Sequence, residues 1–239
     1  MKIEVYPDDD TVARKAAAVI AGDMRAAVSA RGRYVMAVSG GHTPWLMLRA
    51  LADEPLPWQQ VQVFQVDERV APANDPDRNL AHLRASLLTR VPLPPDHIHA
   101  MPVEAADLDR AAAQYASTLR EVAGSPPVLD LVHLGLGPDG HTASLVPGDP
   151  ALDVTDADVA VAGPYQGRRR MTLTFPIINR SRLVLWLVTG REKAATLVRL
   201  RDGDRSIPAA RVRQDRALLL ADRAAAERLG TNKEQEART

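Results

Sequence analysis

Residues 34–52 read YVMAVSGGHTPWLMLRALA. The first five are apolar, a run typical of a strand that is covered on both faces of a sheet. Gly40 and Gly41 then interrupt the run, and Pro44 is a residue that suits the first turn of a helix. The stretch therefore predicts a strand, a tight glycine turn and a helix, which together form the repeating unit of an α/β fold.

The same rhythm of short apolar runs and longer helical patterns extends over the 239-residue chain. Apolar runs predict strands at residues 3–5, 34–38, 61–66, 128–134, 171–175, 183–188 and 217–220. Helical spacing of apolar residues predicts helices at 11–30, 44–52, 80–90, 107–123 and 191–200. The alternation predicts a single α/β domain over residues 1–230, built around a mostly parallel sheet. Residues 231–239 contain nothing to bury, and we expect them to form a disordered tail.

Composition and charge exclude several classes of protein. Thirty Lys and Arg residues balance thirty Asp and Glu residues, so we expect no nucleic-acid partner. The absence of cysteine excludes disulfides, thiolate metal sites and a cysteine nucleophile. The acidic first ten residues lack the apolar run of a secretory signal, and the apolar run at 183–188 is far too short to cross a membrane. We therefore expect a cytoplasmic protein with no membrane partner.

Polar clusters follow four of the predicted strands. They occupy residues 39–44, 67–69, 135–142 and 190–193. Ligands of an open parallel sheet bind beyond the carboxyl ends of its strands. Because these ends lie along one edge of the sheet, we expect the four clusters to converge on one site.

The first cluster, SGGHTP at residues 39–44, has the features of an anion-binding turn. Its glycines let backbone N–H groups approach a ligand, and the following helix would point its positive end at a phosphate. A plain strand-to-helix turn is the alternative interpretation. A Walker phosphate loop is excluded, since the Gly-Lys-Ser/Thr ending is missing.

The third cluster contains three glycines, Gly135, Gly137 and Gly140, with the G-x-G-x-x-G spacing of dinucleotide-binding proteins. That function also requires a full crossover helix after the last glycine. Pro147 and Pro150 would stop any such helix after about two turns, because proline cannot continue a helix. The pattern therefore argues against dinucleotide binding.

His141 follows these glycines at a predicted strand end, where an imidazole can exchange protons with water near neutral pH. Two carboxylates, Asp139 and Asp67, could orient the imidazole or stabilise its charged form. The alternative is a structural histidine that is bonded to loop carbonyls.

Five segments together resemble one known family. They are residues 39–44 (SGGHTP), 67–69 (DER), 135–145 (GLGPDGHTASL), 170–179 (RMTLTFPIIN) and 190–193 (GREK). In order and spacing they are similar to the 6-phosphogluconolactonases, which share a modified Rossmann-like α/β fold with the glucosamine-6-phosphate deaminases. The resemblance implies hydrolysis of 6-phosphoglucono-1,5-lactone to 6-phosphogluconate in the oxidative pentose phosphate pathway, with no metal and no organic cofactor.

The resemblance also implies roles for individual residues. His141 would activate water for attack on the lactone carbonyl, and Asp67 would hold that histidine or support it electrostatically. The 6-phosphate would be bound by basic side chains and the glycine turn, namely Ser39, Gly40, Gly41, Thr43, Arg69, Arg170 and Lys193. We expect the partner to be a small sugar-phosphate lactone and the protein to be a monomer or a weak homo-oligomer.

Two other functions fit parts of the pattern. A glucosamine-6-phosphate deaminase would carry a similar DGH loop, but the family pattern places an acidic residue where this chain has Ala143-Ser144-Leu145. A non-catalytic sugar-phosphate sensor would keep the phosphate-binding groups and lose the proton-transfer pair, whereas both His141 and Asp67 are present. The sequence therefore favours the lactonase.

Overall fold

Strands and helices alternate over residues 1–230, the part of the chain that the computed structural model describes. The strands are β1 (Lys2–Tyr6), β2 (Tyr34–Val38), β3 (Val61–Gln65), β4 (Asp67–Arg69), β5 (Ile98–His99), β6 (Leu131–Gly135), β7 (Val159–Tyr165), β8 (Arg168–Leu173), β9 (Leu183–Val188) and β10 (Ala217–Asp222). The α-helices are α1 (Asp9–Arg31), α2 (His42–Ala52), α3 (Asn79–Leu83), α4 (Leu108–Ala123), α5 (Phe175–Arg180) and α6 (Ala194–Arg201). A π-helical turn at Arg84–Leu88 continues α3. The tail expected at 231–239 lies outside the described residues.

Seven of the strands form one parallel sheet in the order β1-β10-β9-β6-β2-β3-β5. Side chains on alternate positions of β2 enter two different cores: Val35 and Ala37 pack with α4 and α5, whereas Tyr34 and Met36 pack with α1 and α2. Helices therefore cover both faces of the sheet, which explains why β2 is buried along its whole length. The predicted α/β fold with a mostly parallel sheet flanked by helices is confirmed. None of the helices in the described part has the length and apolar character that crossing a membrane requires.

The strand predicted at residues 171–175 is misplaced. The structure puts β8 in a second, three-stranded antiparallel sheet of order β4-β8-β7, and β8 ends at Leu173. Phe175 begins α5 instead, because Pro176 in its first turn suits a helix start. β4 contains the polar cluster at 67–69, which was expected to be a loop, and β7 was not predicted at all.

The order of the strands reverses between β2 and β6. From β2 the chain adds β3 and then β5 on one side, whereas β6, β9 and β10 lie on the other side. A reversal of this kind opens a crevice at the carboxyl ends of the strands. The four strands whose ends carry the predicted polar clusters are therefore neighbours, in the order β9-β6-β2-β3.

The β2–β6 pair ends early, and a histidine side chain continues the connection. Strand pairing extends only over Met36↔Leu131 and Ala37↔Val132. Beyond it, Ser39 donates its N–H to His133 Nδ1 (3.3 Å) and its hydroxyl to the His133 carbonyl (3.0 Å). His133 is fully buried, and its Nε2 has no partner within residues 1–230. Burial lowers the pKa of His133 to about 3, so the ring stays a neutral acceptor.

His133 should therefore make folding stability depend on pH. Its folded-state pKa of about 3 lies below the ordinary value of 6.5, so the unfolded chain binds the proton first as pH falls. The stability due to the neutral ring is complete above pH 6.5 and is lost as pH falls toward 3. His133→Asn removes the titration and keeps an acceptor for Ser39. Urea unfolding should show that the wild type loses about 2 kcal/mol more than the variant between pH 7 and pH 5. Equal losses in the two proteins would contradict this account.

Candidate active site

A cleft of about 340 Å³ lies at the carboxyl ends of β2, β3, β6 and β9. Every site residue predicted from the sequence lines it: His141, Asp67, Ser39, Gly40, Gly41, Thr43, Arg69, Arg170 and Lys193. Residues from the loops after four neighbouring strands and from the small antiparallel sheet thus converge on one space. The convergence that was expected from the polar clusters is present in the structure.

His141 lies at the end of a loop that folds back on itself. Gly137 donates its N–H to the carbonyl of His141 (2.8 Å), and Gly140 donates its N–H to the carbonyl of Gly137 (3.0 Å). The imidazole packs directly on the backbone of Gly137, where a Cβ atom would be 2.1 Å from His141 Nδ1. No helix follows Gly140 before the 3-10 turn at Pro150–Asp153, so the structure agrees with the rejection of a dinucleotide-binding unit.

Asp139 is the carboxylate that holds the imidazole. Its Oδ1 lies 2.5 Å from His141 Nδ1 and also accepts the His141 N–H (3.1 Å). Burial alone would raise the pKa of Asp139, but these hydrogen bonds from His141 outweigh burial and lower it. Asp139 is therefore ionised at neutral pH and favours the Nδ1–H tautomer, which leaves Nε2 as the free base.

Asp67 does not hold His141, contrary to one of the two roles expected for it. Its Oδ2 accepts the hydroxyl of Ser144 (2.7 Å), and its Oδ1 lies 3.4 Å from Asn79 Nδ2. Burial raises the pKa of Asp67, while the Ser144 hydrogen bond and the charges of Arg69 and Arg170 oppose that rise. The other expected role, electrostatic support of the imidazole across the cleft, stays a prediction.

Two arginines face each other beside this carboxylate. Arg69 on β4 and Arg170 on β8 are direct cross-strand partners in an antiparallel pair. Like charges in this arrangement repel. Both Nε atoms are buried and have no hydrogen-bond partner within residues 1–230. Burial and the neighbouring charge of Arg69 lower the pKa of Arg170, although Asp67 opposes them. A bound anion would relieve the repulsion and supply the missing acceptors.

Glu68 holds the backbone of Arg69 in place, since its Oε1 accepts the Arg69 N–H (2.8 Å). Glu68 is fully buried, and its carboxylate accepts the N–H groups of Asn79 and Leu80 at the start of α3 (2.8 Å each). Asn79 Oδ1 in turn accepts from Arg69 Nη1 (2.8 Å). A Cβ atom on Gly40 would lie 2.0 Å from that Oδ1. The glycine is therefore required so that the turn can pass over Asn79.

The glycine turn offers backbone donors more than side-chain donors. Both donors of Ser39 are already used by His133, whereas no residue within 1–230 accepts the N–H of Gly40 or Gly41. Thr43 shares a hydrogen bond with Thr189 (Oγ1 to Oγ1, 2.7 Å). Lys193 reaches the cleft with a side chain that is 20% exposed. The phosphate contacts predicted for these residues stay predictions, and for Ser39 the geometry favours a role in fixing the turn.

Thr189 lines the cleft but was missed by the sequence analysis. Asn79 also lines it, as does Glu192 of the predicted polar cluster at residues 190–193. The rule that polar residues just after buried strands face the site would have found Thr189, which follows β9 directly. Asn79 does not follow a buried strand, so this rule would not have found it. It begins α3, where Glu68 accepts its N–H, and its side chain contacts Asp67 and Arg69. No group of three or more His, Asp or Glu side chains placed to hold a metal ion occurs among the described residues.

Comparisons with known proteins agree with the geometry. A family model described as glucosamine-6-phosphate isomerases/6-phosphogluconolactonase matches residues 7–220. The 6-phosphogluconolactonase of Mycobacterium tuberculosis is 39% identical over 241 residues, which cover 95% of this chain and 98% of the relative. The 6-phosphogluconolactonase of Synechocystis sp. is 39% identical over 200 residues, which cover 82% of this chain and 83% of the relative.

Solved structures share the fold. The 6-phosphogluconolactonase of Thermotoga maritima superposes with a TM-score of 0.83 at 26% identity, over 92% of this chain and 98% of that one. A monomeric glucosamine-6-phosphate deaminase also superposes with a TM-score of 0.83, but at 19% identity it shows the fold alone. From the family match and these relatives, the chain belongs to the glucosamine-6-phosphate isomerase/6-phosphogluconolactonase family.

Proposed function

We propose that this protein hydrolyses 6-phosphoglucono-1,5-lactone to 6-phosphogluconate in the oxidative pentose phosphate pathway. The proposal rests on His141, which is paired with Asp139 and shares a cleft with two cross-strand arginines whose Nε atoms have no acceptor within residues 1–230. The pair supplies a base, and the arginines supply the charge that a phosphate dianion requires. The names of the relatives that are 39% identical support the same reaction.

The first chemical step is the attack of water on the lactone carbonyl. His141 Nε2 takes a proton from a water molecule as the water oxygen forms a bond to C1. The imidazolium that results is stabilised by the ionised carboxylate of Asp139, which lies 2.5 Å from Nδ1. Charge develops on the former carbonyl oxygen, and N–H groups or cations of the cleft would stabilise it.

The second step opens the ring. The tetrahedral intermediate collapses as the bond between C1 and the ring oxygen breaks, and the electron pair goes to that oxygen. The imidazolium returns its proton to the ring oxygen, which becomes the C5 hydroxyl. The products are the carboxylate of 6-phosphogluconate and a released proton, with the neutral imidazole restored. His141 acts first as the base and then as the acid, and the proton of the new carboxylic acid goes to solvent.

Phosphate binding fixes the lactone relative to His141. Arg69 and Arg170 provide paired guanidinium groups, and Lys193 and the N–H groups of Gly40 and Gly41 add further donors at the same cleft. An anchored phosphate converts attack by water into a reaction of an oriented substrate, which lowers the barrier. We assign the 6-phosphate to this set of donors.

The glucosamine-6-phosphate deaminase alternative is weaker. The acidic residue that its ring-opening chemistry is expected to use would fall in residues 143–145, which are Ala, Ser and Leu. Ser144 there is buried against Asp67.

We also propose that the protein acts in the cytoplasm as a monomer or a weak homo-oligomer. Sedimentation over a range of concentrations tests the second point, and a single stable tetramer would contradict it.

The lactonase proposal predicts that the wild type hydrolyses phosphorylated gluconolactone well above the spontaneous rate and prefers it to the unphosphorylated lactone. His141→Ala should lower kcat by roughly 10²- to 10⁴-fold, because it removes the base. Lactone disappearance, corrected for spontaneous hydrolysis, measures both. A wild-type rate at the spontaneous background, or ammonia release from glucosamine-6-phosphate, would contradict the proposal.

Gly137→Ala tests whether the imidazole must lie on the backbone of residue 137. The added Cβ would meet His141 Nδ1 at 2.1 Å and displace the ring, so we expect kcat to fall roughly 10²-fold while the fold is kept. Gly22→Ala in α1 is the matched control, since nothing lies within 4 Å of its added Cβ. Steady-state kinetics and circular dichroism make the comparison. Wild-type kcat in Gly137→Ala would show that the position of the ring does not matter.

A further inference from the structure

Tyr165 lies at the tip of the β7–β8 hairpin. Gln166 and Gly167 form the turn with φ values of 53° and 78°, and Tyr165 pairs with Arg168 across it. Positive φ at both central residues is the geometry of a tight two-residue hairpin turn. A register irregularity between Ala162 and Tyr165 precedes the turn. The tip of the hairpin thereby brings Tyr165 next to the loop that carries His141.

The hydroxyl of Tyr165 reaches the carboxylate that holds His141. It donates to Asp139 Oδ2 at 3.2 Å, while His141 Nδ1 bonds to Oδ1. Each oxygen of Asp139 is therefore fixed by a different ring. Burial and the charge of Asp139 raise the pKa of Tyr165, so its hydroxyl stays protonated and acts as the donor.

The ring of Tyr165 contacts two members of the cleft. It packs edge-on against the imidazole of His141, with ring centroids 5.1 Å apart and an interplanar angle of 61°. The guanidinium of Arg170 lies over its face, with Cζ 5.1 Å from the centroid. Tyr165 lies behind these two residues and does not line the cleft itself. Its contacts with His141 and Arg170 are the route by which it can influence a bound lactone.

We propose that Tyr165 is a positioning residue with two separable parts: its hydroxyl orients Asp139 and hence the imidazole of His141, and its ring holds the guanidinium of Arg170. The inference rests on the proposed lactonase function. The hydroxyl serves the step at C1 and should affect kcat. The ring face serves the anion-binding arginine through a cation–π contact and should affect KM.

Tyr165→Phe and Tyr165→Leu separate the two parts. Phenylalanine removes only the hydroxyl, so kcat should fall roughly tenfold while KM stays within about twofold of the wild type. Leucine also removes the aromatic face under Arg170, so KM should rise about fivefold in addition. In an Asp139→Ala background, Tyr165→Phe should cause no further loss, because the hydroxyl then has no carboxylate to orient.

Tyr6→Phe is the matched control. It removes another tyrosine hydroxyl that donates to a carboxylate, that of Glu4 (2.6 Å) on the edge strand β1, and it should leave kcat unchanged. The ¹⁵N signals of the His141 imidazole give a readout without substrate: Tyr165→Phe should shift them and Tyr6→Phe should not. If the wild type lacks lactonase activity, the proposed function fails, whereas these signals still test the contact.

Three results would overturn the proposal. One is wild-type kcat and unshifted His141 signals in Tyr165→Phe. Another is the same loss from Tyr165→Phe with and without the carboxylate of Asp139. The third is a fall in kcat that is matched by a loss of folded protein in circular dichroism, because that would make Tyr165 a purely structural residue.

Discussion

Arg69 and Arg170 are held opposite each other across an antiparallel strand pair, and their mutual repulsion must be compensated. Asp67, which lines the cleft, and Glu68, which is fully buried, both lie on β4 and provide part of the compensation. The carboxylate of Glu68 accepts the first N–H groups of α3, and Asp67 bonds to Ser144. Neither carboxylate bonds to a guanidinium of the pair. The cleft therefore keeps two guanidinium charges that no carboxylate of residues 1–230 pairs with directly, and such charges favour the binding of a phosphate dianion.

This arrangement depends on the second, smaller sheet. The parallel sheet supplies the glycine turn, the His141 loop and the segment with Lys193, all from the ends of adjacent strands. The antiparallel sheet of β4, β8 and β7 adds the two arginines and, at its tip, Tyr165. The cleft thus combines residues of two structural layers: the histidine loop, the glycine turn and Lys193 from one, and the two arginines from the other. The Tyr165 side chain is one contact that joins them, because it touches both His141 and Arg170. Ser144 makes another, through hydrogen bonds to Asp67 and Thr172.

The parallel sheet and its site residues were predictable because their signals are local. A nearly continuous apolar run that leads into glycines marks the end of a buried strand, as at 34–41 and 131–137. The antiparallel sheet carries no comparable signal: β8 begins with three arginines, and β7 contains Gly163 and Pro164, which weaken a strand pattern. Its pairing depends on long-range contacts. The sequence also left Asp139 and Asp67 open as partners of His141, because that choice is made by the detailed fold of one short loop.

The proposed function requires the phosphate and the acyl carbon of one ligand to lie in this cleft together. A crystal structure with 6-phosphogluconate bound would show both groups at once. We expect phosphate oxygens about 3 Å from the guanidinium groups of Arg69 and Arg170, with the carboxylate of the same molecule within hydrogen-bond distance of His141 Nε2. A ligand in the reverse orientation, or a phosphate bound away from both arginines, would show that these residues do not have the proposed roles.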